Sequence, residues 1–138
     1  MTINRSAKKG LTILGLMIPF ISLFLISKLF LSDIYLFEWT ARHHYLFLWV
    51  AVILLVLIDR VHLATALTIG NVVGVLVGQF LGDLIRNQSL SQITPEMSGE
   101  EVHRLSHHPG FEIWLATIGV CFLVVVVKNI FWRFGKKL

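Results

Sequence analysis

The histidines are the side chains in this sequence most able to do chemistry: His43, His44, His62, His103, His107 and His108. Glu100, His103 and His107 follow at spacings of three and four, so on a helix they share one face. Such a face offers a carboxylate and two imidazoles to Zn²⁺ or Cu²⁺, and His108, His43 or His44 would complete the shell. Haem held by an axial histidine is the related possibility, although no Cys-x-x-Cys-His attachment site is present. The pattern differs from the His-Glu-x-x-His of metalloproteases, in which the glutamate base sits between the two ligands. The plainer alternative is a solvated interfacial helix, and a third is a pH-sensitive contact, because imidazole changes charge near neutral pH. His62 stands apart from the other five and reads as structural.

A second candidate is the row Asn71, Val75, Gln79 and Asp83. Four residues is close to one helical turn, so Gln79 would lie roughly 12 Å further along a helix than Asn71. Polar groups at membrane depth are costly and face protein or a water-filled cavity. The row therefore reads either as interhelical hydrogen bonds, worth about 0.6–2 kcal/mol each, or as a polar path for an ion or small solute. Beside it run Ala66, Gly70, Gly74, Gly78 and Gly82. This ridge without side chains lets another helix backbone approach, at roughly 1 kcal/mol per interior glycine relative to alanine. A four-residue row drifts about 40° per step, so the ridge is expected to touch two neighbours, one within the chain and one from another subunit. A homo-oligomer or a larger membrane complex is the partner this implies.

The elements that must position these residues are apolar spans. Of the 138 residues 56% are apolar and only 14% charged, against about 25% charged in soluble domains. The deficit is concentrated in long uncharged stretches, the mark of a lipid bilayer as solvent. The expectation is an all-α polytopic membrane protein, a single membrane domain over 1–138. Its four transmembrane helices would cover about 11–31, 41–60, 61–85 and 111–131, forming one bundle. The first run resembles a signal peptide but is long for one and lacks an Ala-x-Ala-like site, so it reads as a retained helix. Tyr35, Phe37 and Trp39 before the second span suit an interfacial belt or one face of an extended segment. Between the third and fourth spans lies a polar loop over 86–110. There Ser98-Gly99-Glu100-Glu101 has the form of a capping box, predicting a short amphipathic outer helix from Gly99 to His107.

Four spans put both termini on one side. That side would collect eight basic residues, Arg5, Lys8, Lys9, Arg60, Lys128, Arg133, Lys136 and Lys137, against Arg42, Arg86 and Arg104 opposite. The positive-inside rule then places the termini in the cytoplasm, and the expected location is the cytoplasmic membrane. The net charge of +4 is topological by this reading, and nucleic acid is not an expected partner. Cys121 is the only cysteine, which excludes an intrachain disulfide and a cysteine-cluster metal site. No nucleophile elbow, phosphate loop or dinucleotide fingerprint occurs, so no catalytic residue is assigned. The expected function is a small membrane protein of transport type, either an oligomeric channel or carrier or an accessory subunit of one. The alternatives are a membrane metal- or haem-binding protein and a non-catalytic scaffold or assembly factor.

Overall fold

The computed structural model describes residues 4–135, with side chains to Trp132. Lys136, Lys137 and the side chain of Arg133, three of the basic residues counted above, lie outside what is described. Among the described residues the chain is all-α: α1 Arg5–Phe30, α2 Tyr35–His43, α3 Leu46–Leu57, α4 Val61–Leu90, α5 Gly99–Ser106 and α6 Gly110–Gly135. Helices α1, α4 and α6 are each long and apolar enough to cross a membrane, and α2 with α3 forms a fourth, bent candidate.

The contacts at the helix ends give the path of the chain. The start of α1 meets the end of α3, where Lys9 Nζ donates to the Leu57 carbonyl at 2.6 Å and Arg5 and Lys9 pair with Asp59. The start of α2 and the start of α6 both meet the second half of α4, through Gln79 and through Asp83. The chain therefore runs up α1, down α2–α3, up α4 and down α6, with Arg5, Asp59, Arg60 and Lys128 gathered at one end. Bonds from Lys9 foremost, together with the charge of Arg5, hold the Asp59 carboxyl below its ordinary value.

The second apolar run departs from the single helix expected over 41–60. Residues 35–43 are already helical, not extended, and the axis turns by 67° at His44–Tyr45. Both residues take left-handed backbone, with φ of 57° and 50°, which costs a non-glycine residue roughly 1–2 kcal/mol. Two features offset that cost. The His44 N–H closes α2 by donating to the Thr40 carbonyl at 3.0 Å. Tyr45 is buried, stacked on Trp114 at 4.8 Å between ring centroids, with its hydroxyl 3.1 Å from Thr40 Oγ1. Burying an aromatic against another aromatic outweighs the strain.

On α4 every buried position but Val75 is small or polar (Ala64, Ala66, Thr68, Gly70, Asn71, Gly74, Gly78, Gln79, Gly82), while Ile69, Leu76, Phe80 and Leu84 point outward. That inversion of the soluble pattern is expected where the surroundings are lipid. Helix α5 begins with a complete capping box, Glu101 N–H to Ser98 Oγ at 3.4 Å and Ser98 N–H to Glu101 Oε2 at 2.9 Å. The N–H and hydroxyl of Ser98, both donating to Glu101 Oε2, hold the Glu101 carboxyl below its usual range. The helix stops at Ser106, and His107 is extended.

Candidate functional site

Three of the chain's long-range side-chain hydrogen bonds meet the polar row of α4. Asn71, at 0% exposure, accepts the indole N–H of Trp114 on its Oδ1 at 3.0 Å. Val75, also wholly buried, fills the next turn. Gln79, at 3% exposure, turns both of its amide groups to use. Its Oε1 accepts the N–H of Leu36 at 2.8 Å, and its Nε2 donates to Asp83 Oδ2 at 2.7 Å. Leu36 lies in the first turn of α2, whose preceding residue Ile34 supplies no side-chain cap. The first N–H groups of a helix have no partner within it, so Gln79 serves as a cap delivered from another helix.

Asp83 extends the network to the loop. Its Oδ1 lies 3.1 Å from Nε2 of His108, and Nδ1 of the same ring accepts the N–H of Gly110 at 3.0 Å. Because Nδ1 accepts from a backbone amide, the ring proton sits on Nε2 and is directed at the carboxylate. His108 is buried, packed on the Tyr35 ring at 4.3 Å between centroids. The result is one continuous connection from α2 through Gln79 and Asp83 to the corner that opens α6.

The glycine ridge stands mainly against α6 within the chain. A Cβ at Gly70 would lie 3.1 Å from Ile118 Cα, and one at Gly74 would lie 3.1 Å from the Trp114 carbonyl. At Gly78 it would reach 2.5 Å from the Gly110 carbonyl, and at Gly82 3.0 Å from Gly110 Cα. Within the chain the ridge meets α6 and the corner that opens it, and at Gly78 also Leu36 of α2. The positions met on α6 also retreat in steps of about one turn, from Ile118 to Trp114 to Gly110. Both helices thus use four-residue rows and drift together, so one partner follows all four glycines. Ala66 is buried one turn before the close contact begins.

The six proposed metal ligands are dispersed. His43 stacks on Trp39 at 4.1 Å and bonds the Trp39 carbonyl, and His44 packs on Phe24. His107 pairs with Glu112 at 2.9 Å, whereas His108 turns inward to Asp83. Glu100 and His103 are exposed on α5. Among the described residues no three histidine, cysteine, aspartate or glutamate side chains converge as a metal site. The sequence reading missed Trp114 and Leu36, the partners of Asn71 and Gln79. A polar row in an apolar helix signals that partners exist without saying which residues they are.

Two buried donors, Asn71 Nδ2 and Trp49 Nε1, have no partner among the described residues. The site as a whole is a set of latches that fixes α2 and α6 on α4. No protein-family model matches the chain, and neither does any curated protein or solved structure.

Proposed function

We propose that this multi-pass membrane protein is an accessory subunit of a transport assembly and does not conduct solute alone. The observation that carries the reading is that the amide of buried Gln79 is used up by Leu36 of α2 and by Asp83, and that Asp83, about half exposed, pairs with His108, with Val75 closing the row towards Asn71. A conducting path would need these groups to face an aqueous space. Large apolar side chains on α1, α3, α4 and α6 face outward and supply the surface for lipid and for a partner subunit. The gathering of basic residues at the Asp59 end supports cytoplasmic termini.

Reconstitution tests the reading directly. Liposomes holding the purified protein alone should show no saturable ion or solute flux. Photo-crosslinkers at Phe47 or Leu54, both outward on α3, should capture one transport protein in native membranes at fixed stoichiometry. Flux by the isolated protein that Asp83→Asn abolishes would reverse the conclusion. Orientation is read by impermeant thiol labelling of single cysteines at Lys8 and Gly99 in a Cys121→Ser background.

A further inference from the structure

Toward the Asp59 end the glycine row of α4 makes its last close contact with α6 at Gly70 and continues only as Ala66, which lines a space between the two helices. This space is a groove of about 960 Å³, open on one side. Ile69 and Val125 line the part further from the Asp59 end, and Arg60, His62, Lys128 and Ile130 line the part nearer that end, its mouth. Ile69 is about half exposed, so the apolar part opens toward the acyl chains and not toward water.

The charge at the mouth is unbalanced. Asp59 also borders the groove, but Arg5 and Lys9 already hold its two oxygens at 2.7 and 2.9 Å. Arg60, His62 and Lys128 have no side-chain hydrogen bond or ion pair among the described residues. Asn129 adds a neutral amide beside them. A basic mouth above an apolar cleft between transmembrane helices matches one amphiphile, an anionic phospholipid with its phosphate at the mouth and its chains along the cleft.

We propose that the α4–α6 groove is a binding site for one anionic phospholipid of the leaflet at the Asp59 end. Arg60 and Lys128 hold the phosphate, and Ile69 and Val125 contact the chains. A zwitterionic lipid fits the cleft equally well but gains less from the mouth.

Native mass spectrometry of the full-length protein in mild detergent, titrated with phosphatidylglycerol or phosphatidylcholine, is the test. One phosphatidylglycerol should be retained in preference to phosphatidylcholine. Arg60→Gln and Lys128→Gln should each weaken that retention about fivefold, the effect of one basic residue near an anionic surface. Lys8→Gln removes the same charge at the same end but outside the groove, and should change little. Equal retention of the two lipids, or equal losses in all three variants, would overturn the site. Displacement by millimolar inorganic phosphate would do so as well, assigning the mouth to a free anion instead. Melting temperatures within a degree or two of the unaltered protein keep a loss of retention from being read as misfolding.

Discussion

The indole of Trp114 and the amide of Asn71 meet at 3.0 Å, each buried, across the closest helix pair in the molecule. The bond ties the α4 glycine face to α6 at the depth where no water competes. It also leaves Asn71 Nδ2 without a partner among the described residues, and the two ends of the bond are therefore not equivalent. Trp114→Phe strands both amide atoms of Asn71, whereas Asn71→Leu strands only the indole N–H and removes an unmet donor. The loss for Trp114→Phe should be about 1–2 kcal/mol, and Asn71→Leu should cost less. Reversible unfolding in mixed micelles measures both, and the opposite ranking would refute this account of the pair.

Gly78 is the tightest point of the ridge against backbone. A methyl group there meets the Gly110 carbonyl at 2.5 Å and Leu36 Cδ1 at 2.8 Å. The carbonyl is backbone and cannot swing aside. Gly78→Ala should destabilise by about 1–3 kcal/mol, the cost of overpacking. At Gly119 on α6 an added methyl group would meet nothing within 4 Å, so Gly119→Ala should be neutral or stabilising by up to about 1 kcal/mol. Equal effects at the two glycines would contradict the packing described.

Gln79→Leu removes the cap that α4 lends to α2. Hydrogen exchange of the Leu36 amide should rise more than that of amides in the middle of α4, because only the first turn of α2 loses its acceptor. Uniform acceleration along the chain would mean general destabilisation instead.

The Asp59 end should respond to acid. The Asp59 carboxyl is depressed by its bond to Lys9 and by Arg5. A carboxylate with a lowered folded value contributes stability that is present above its unfolded value and lost as pH falls through the folded one. The attachment of α1 to the α3–α4 turn should therefore hold at neutral pH and loosen below the ordinary carboxylate range. Spin labels at Lys8 and His62 would read the separation. Asp59→Asn should make that distance independent of pH, and a pH response surviving in this variant would count against Asp59 as the titrating group.

Local signals made several of these features legible in advance. The Ser98–Glu101 box marks the start of α5 because both partners lie within one turn. The small and polar rows of α4 are visible because a helix repeats its faces every four residues. The bend at His44–Tyr45 is different. No glycine or proline marks it, and its left-handed residues are held by Trp114 and Thr40, one of them far away in the chain. Gln79 shows the same limit, since its acceptor role depends on Leu36, 43 residues earlier. The histidines mislead in the other direction. Spacing set Glu100, His103 and His107 on one face, but the helix stops at Ser106, His107 is extended and pairs with Glu112, and among the described residues no three such side chains converge.

The bend also carries a consequence for the surrounding lipid. Helix α3 has only 12 residues, about 18 Å at 1.5 Å per residue. The 9 residues of α2, inclined by 67°, extend that by only about 5 Å along the same axis. Counted as one span, α2–α3 covers about 23 Å against a hydrocarbon core of about 30 Å. Helices α1 and α4, with 26 and 30 residues, exceed that thickness. The protein thus presents a short side and long sides to one bilayer. Headgroups must dip along the α3 flank, and thin membranes, or a neighbour with an equally short helix, will gather there.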